Sequence, residues 1–144
     1  MKMEHLIEVY KMVNKFGRTM GMELKEVKEG EITYEMTITE NHLATPTAAH
    51  GGSVAAMMDG VLGVAALSVT AKEQKLVATV EFKIHYLRPV KLNDVLTGKG
   101  RVVHKGNRIV ICSGEIFNQN NEMVAMGTGT FNAYPFQKAG IKGL

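Results

Sequence analysis

The sequence predicts an α+β fold, in which one long apolar helix is wrapped by a curved, mostly antiparallel sheet of five or six strands. Three observations predict it. Residues 51–69 are apolar on nearly every face, the pattern of a helix buried inside a domain rather than lying on its surface. Residues 31–39 and 76–88 alternate polar and apolar, as half-buried strands do. The last third of the chain holds three β-rich runs joined by Lys105-Gly106-Asn107 and Asn120-Asn121-Glu122, short turn-forming links of the kind that close hairpins.

Taken in order, Glu4 to Phe16 carries Leu6, Val9, Tyr10, Val13 and Phe16 at helical spacing, an amphipathic helix that Gly17 is expected to close. Met20 to Val27 is a strand joined through Lys28-Glu29-Gly30 to the strand Glu31–Thr39, making a hairpin. Glu40 to Ala49 is a loop containing Pro46. The long helix begins after His50 and ends between Ser68 and Lys72. The strand Leu76–Arg88 follows, with Val80, Phe82, Ile84 and Tyr86 on one face, and Pro89 stops its pairing because it has no N–H to donate. Strands over Asp94–His104, Arg108–Asn118 and Met123–Tyr134 complete the sheet, and residues 135–144 form a loose tail. Residues 1–144 read as a single domain.

Composition narrows the class. With 144 residues, 45% hydrophobic and 22% charged, the chain has enough apolar content for one substantial core and is not disordered. Its net charge is +3, but no basic run or reader motif points to nucleic acid. Cys112 is the only cysteine, so no intrachain disulfide is possible. Met1–Glu8 carries acids where a signal peptide needs its apolar core. The apolar stretch 51–69 is long enough to span a membrane, but Asp59 near its middle argues against that. A cytoplasmic protein without a membrane partner is the expectation. Of the histidines other than His50, none has metal-ligand spacing, and no metal is expected.

Chemistry concentrates on the long helix. It opens on His50-Gly51-Gly52, and its one carboxylate is Asp59. The glycines present bare backbone N–H groups at a helix N-terminus, where negative charge is stabilised. A buried acid is rare unless something pairs or uses it. A polarising end and a lone acid on one element suggest acyl chemistry. Asp59 lies eight residues beyond Gly51, about 12 Å along the axis, too far for one small reacting group to touch both. If both act on the same atom, one comes from a second copy of the helix, in a site shared across a symmetric dimer.

These residues, with Thr79-Val80-Glu81-Phe82-Lys83-Ile84-His85-Tyr86-Leu87-Arg88-Pro89 and the closing Gly127-Thr128-Gly129-Thr130-Phe131, resemble the hotdog-fold acyl-CoA thioesterases of the phenylacetate-degradation (PaaI-like) type over roughly residues 20–133. The resemblance implies a hotdog fold and hydrolysis of an aromatic, short-chain or medium-chain acyl-CoA. No separate cofactor is needed, coenzyme A being part of the substrate. By the same resemblance, the Gly51 N–H polarises the thioester carbonyl, and Asp59 of the neighbouring subunit acts as general base or nucleophile. Thr79 holds the water, and His50 orients the turn. Gly52 belongs to the substrate-binding turn, and Arg88, Lys91, Lys105 and Arg108 are candidates for the coenzyme A phosphates. The family commonly has an Asn six residues before the histidine. Here that position is Ala44, with Asn41 and His42 as the polar residues nearby. The assembly implied is a homodimer or a dimer of dimers (a homotetramer). The rival readings are a hotdog hydratase or dehydratase acting on acyl thioesters and a non-catalytic acyl-CoA sensor.

Overall fold

The computed structural model describes residues 2–142. The N-terminal helical pattern is broken in two. Helix α1 (Met3–Val13) ends at Asn14, and a short helix α2 (Lys15–Thr19) begins there. Gly17 therefore does not close a single helix as the spacing predicts. The Asn14 side chain does so earlier, taking the Gly17 N–H at 3.0 Å and starting a new turn, the usual way a short polar side chain competes with a helical backbone. Leu6 and Ile7 anchor α1 in the core.

Strands β1 (Met22–Lys28) and β2 (Glu31–Thr37) form the expected hairpin. Gly30 turns it at φ +91°, where only glycine is unstrained. Its N–H donates to Ser68 Oγ at 2.9 Å, tying the hairpin to the long helix α3 (Gly51–Thr70). Beyond α3 come β3 (Lys75–Tyr86), β4 (Val95–Lys105), β5 (Ile109–Phe117) and β6 (Met123–Pro135). The six strands lie in the order β1-β2-β4-β5-β6-β3, and every neighbouring pair is antiparallel. The chain thus crosses the sheet through α3, which leaves β3 as a free edge. Every strand begins and ends within two residues of its expected limits, the largest differences being the later start of β1, the earlier end of β2 and the turn that ends β3 before Arg88. The start of the expected loose tail is anchored: Phe136 is buried, and its N–H donates to the Gln74 carbonyl at 2.9 Å. Residues 1, 143 and 144 lie outside the described residues.

In β3, a register shift between Thr79 and Glu81 breaks the simple alternation. Phe82 and Ile84 pack against the core, while Val80 is 58% exposed and Tyr86 51% exposed. A bulge therefore takes Val80 off the expected face, while Tyr86, at the end of the strand, keeps the register of Phe82 and Ile84.

Helix α3 is the helix whose length and hydropathy suit a membrane span, yet it forms the centre of the core. Val54, Met57, Met58, Val61, Leu62 and Ala65 are buried beneath the sheet. What admits them is a row of glycines. Gly100, Gly114 and Gly127 stand directly opposite one another across β4, β5 and β6. A Cβ at Gly114 would lie 3.0 Å from Met58 Sδ and 3.1 Å from Leu62, and one at Gly100 would lie 2.5 Å from the Val61 carbonyl oxygen. The helix backbone rests where side chains would otherwise stand.

Two consequences can be measured. Gly100→Ala drives a methyl into helix backbone that cannot rotate away, so thermal or denaturant unfolding should show a loss of about 3 kcal/mol. Cys112 is fully buried, and desolvation pushes its thiol up to about 12. It should resist alkylation at mildly alkaline pH in the native protein and react only on unfolding.

Candidate active site

The start of α3 is held by its own histidine and by a second one upstream. His50 is extended (φ −66°, ψ 137°), and its Nδ1 accepts the Gly52 N–H at 2.7 Å, capping the helix and leaving the ring proton on Nε2. The His50 N–H donates to the His42 carbonyl at 2.7 Å, and Ser53 Oγ donates to the same oxygen at 3.1 Å. His42 is itself 4% exposed. Its Nδ1 accepts the Thr39 N–H at 2.9 Å, and its Nε2 lies 2.7 Å from the Met20 carbonyl oxygen. His42 is thus neither a simple surface histidine nor a stand-in for the Asn missing at position 44. One ring nitrogen is spent on Thr39 at the start of the loop and the other on Met20 at the end of α2. Asn41 lines a separate cleft with Thr19 and Glu35, away from Gly51.

The two glycines of the turn are not equivalent. The Gly52 N–H is taken by His50, so Gly52 offers no donor to a substrate. The Gly51 N–H stands at the first helical position, where no intrahelical acceptor exists, and it has no partner among the described residues. From the other side, Tyr86 Oη donates to the Gly51 carbonyl at 2.7 Å, and the Gly51 surface opens into a shallow cavity with Tyr86, Arg88 and Pro89. Sequence reading assigned Tyr86 to a strand face and missed this contact. Its signal was only the aromatic at a strand end next to Arg88 and Pro89.

Asp59 lies eight residues further along α3, about 12 Å up the axis. It is half-buried, not sealed in the core as a lone acid in an apolar helix suggests. Thr79, on the edge strand, donates from Oγ1 to Asp59 Oδ1 at 2.8 Å, leaving Oδ2 without a partner among the described residues. The pair borders a cavity of about 150 Å³ that also contains Tyr10, Gly63, Phe131 and Tyr134. Burial raises the Tyr10 phenol above its ordinary range, with the Asp59 charge adding to the effect.

The structure brings Asp59 and Thr79 together, and Gly51, His50 and Arg88 together, but keeps the two groups apart. It also divides the four basic candidates. Arg88 sits near Gly51, 3.4 Å from Glu122, with Lys91 exposed nearby. Lys105 and Arg108 flank the turn at the opposite end of the sheet, where Lys105 Nζ bonds Glu73 at 2.9 Å. Along β6 the two ends correspond to Ala125 and Asn132, roughly 23 Å apart at strand rise.

Residues 47–125 match the thioesterase superfamily. The chain is 33% identical over 113 residues to the putative esterase F42H10.6 of Caenorhabditis elegans, covering 78% of this chain and 66% of that protein. It is 28% identical over 113 residues to the acyl-coenzyme A thioesterase PaaI of Escherichia coli, covering 78% of each. The structure of that PaaI protein superposes with a TM-score of 0.81 at 22% identity, over 92% of this chain and 93% of that one. A hypothetical thioesterase from Streptococcus pneumoniae, crystallised with coenzyme A, superposes with a TM-score of 0.73 at 27% identity, over 79% of this chain and 86% of that one. With the six-stranded sheet wrapped around α3, these matches show that the chain belongs to the thioesterase superfamily, as a PaaI-like thioester hydrolase with the hotdog fold.

Proposed function

We propose that this enzyme hydrolyses acyl-CoA thioesters in a site completed by two copies of the chain, Gly51 coming from one and Asp59 with Thr79 from the other. One observation carries the reading. The unpaired Gly51 N–H and the Thr79-held carboxylate lie about 12 Å apart along one helix, so neither half of a hydrolytic site is complete within one chain.

The free edge supports the pairing. Strand β3 has no neighbour beyond it in the chain, and the strand with the residue after it exposes Val80, Tyr86 and Leu87, an apolar edge of the kind that invites another strand. A two-fold axis that carries the Tyr86 level of one β3 to the Thr79 level of the other sets Gly51 of one copy opposite Asp59 of its partner. The same operation carries Arg88 to the level of Val77, two residues from Lys75, and so toward the end that holds Lys105 and Arg108. Basic residues split within one chain converge in the pair and offer a seat for the coenzyme A phosphates. Lys105 contributes least, being engaged by Glu73. A second exposed apolar pair, Ile109 and Ile111 on β5, lies on the sheet face away from α3 and is where two dimers would pack.

In this site the thioester oxygen accepts the Gly51 N–H at the positive end of α3. Water donates one proton to the free Oδ2 of Asp59 and the other as a hydrogen bond to Thr79 Oγ1, whose own proton is committed to Oδ1. Its oxygen attacks the carbonyl carbon, the C–S bond breaks, and the thiolate of coenzyme A takes the proton back from Asp59. The Thr79 contact favours the general-base role over direct attack by Asp59, because it leaves an acceptor positioned for the water. His50 acts by capping the turn that aims Gly51.

Free-thiol release from acyl-CoAs tests this reading. Asp59→Asn should lower kcat on the order of a hundredfold or more while acyl-CoA still binds. Gly51→Pro removes the N–H and adds a ring whose Cβ would stand in ordinary contact with Tyr86 at 3.5 Å. Proline suits the first helical position, and the extended His50 backbone tolerates a following proline. It should lower kcat by about a hundredfold with the fold intact by circular dichroism. Full turnover in either variant contradicts the assignment, and tight acyl-CoA binding without any wild-type turnover contradicts hydrolysis.

A further inference from the structure

The proposed reading leaves the acyl group unspecified, and the cavity beside Asp59 bears on it. The cavity is about 150 Å³ and opens at the Asp59–Thr79 pair. Leu67, Leu76 and Phe131 give it apolar walls. A volume of that order has room for a benzene-sized group. One of its walls is Tyr10, which belongs to α1 rather than to the central helix and sheet. That wall is fixed: Leu6 and Ile7 are buried one turn earlier, and the Tyr10 hydroxyl accepts a hydrogen bond from Asn14 Nδ2 at 3.2 Å, at the break between α1 and α2. Opposite Phe131 the cavity is open because residue 63 has no side chain. A Cβ there would stand 3.4 Å from Phe131 Cε1 and 3.9 Å from Cζ, in ordinary contact across the space.

We infer that Tyr10 and Gly63 are specificity-determining residues that limit the acyl group to roughly six carbon atoms, as a compact ring or a short chain, with medium and long chains stopped at the Tyr10 wall. This rests on the acyl-CoA hydrolase reading above. Gly63 sets the width of the cavity and Tyr10 its depth, so changes at the two positions act in opposite directions on size preference.

The test uses a straight-chain series from acetyl- to dodecanoyl-CoA, together with benzoyl-CoA. In turnover, Gly63→Ala should lower kcat/KM for hexanoyl- and benzoyl-CoA relative to acetyl-CoA by about tenfold, the effect of one methyl group in a tight pocket. Alanine favours the helix at that position, so the variant should fold. Tyr10→Ala should raise dodecanoyl-CoA relative to hexanoyl-CoA by about tenfold. Tyr10→Phe keeps the wall and should keep the wild-type size ranking, which separates wall from hydroxyl. The same series is read by calorimetric binding with each change placed in Asp59→Asn. Turnover with an unchanged size ranking in both Gly63→Ala and Tyr10→Ala overturns the pocket assignment and leaves hydrolysis standing. Absent turnover with opposite shifts in binding preference supports the pocket and overturns hydrolysis.

Discussion

The close seating of α3 on the sheet is the constraint on which the rest depends. A helix packed on an ordinary β-sheet is held off by two layers of side chains. Here Gly100, Gly114 and Gly127 form a line across three strands, and Val61, Met58 and Leu62 occupy the space their side chains would fill. The sheet can then curve around one helix and bury it almost completely, which explains why α3 is apolar on faces that a surface helix would keep polar. It also leaves the helix no freedom to slide, so the positions of Gly51 and Asp59 relative to the sheet are set by core packing.

From that seating follows the division of the site. The N-terminus of α3 emerges near the end of β3, where Tyr86 meets the Gly51 carbonyl, and Asp59 emerges beside Thr79 on the same strand. Both therefore face the free edge, at different levels along it. Polar groups with spare capacity, an unpaired N–H and a free carboxylate oxygen, sit beside exposed apolar residues of an edge strand. In the proposed pairing a second copy reversed along that edge would cover the apolar residues, leave the N–H and the carboxylate oxygen facing one substrate, and gather basic residues that a single chain keeps at opposite ends of its sheet.

The architecture was largely legible in the sequence because periodicity reports burial directly. Strands half-covered by one helix alternate, and the helix they cover does not. The His50-Gly51-Gly52 turn and Asp59 stood out because glycine pairs and acids are exceptional in an apolar run. Other features were hidden because they depend on partners distant in the chain. The capture of the Gly52 N–H by His50 depends on side-chain torsions, and the break at Asn14 depends on one side-chain hydrogen bond prevailing over helical continuity. His42 looked like a loop histidine because the groups that bury it, Met20 and Thr39, belong to other segments. Tyr10 carried no sign of facing Asp59 beyond its place on the apolar stripe of α1. The glycines of β4, β5 and β6 recur at even spacing within strands, but their alignment into one row becomes visible only once the register is known.

The central claim is that a working site takes Gly51 from one chain and Asp59 from another, and subunit mixing tests it most directly. Gly51→Pro and Asp59→Asn homodimers each carry a defect in every site. A heterodimer of the two has one site with both defects and one with neither. Equal mixing with subunit exchange, confirmed by native mass spectrometry, should restore about a quarter of wild-type turnover, because half the dimers are mixed and each holds one intact site of two. Turnover that stays at the level of the two parents after complete exchange would show that both residues act within one chain, or not together, and would contradict the account.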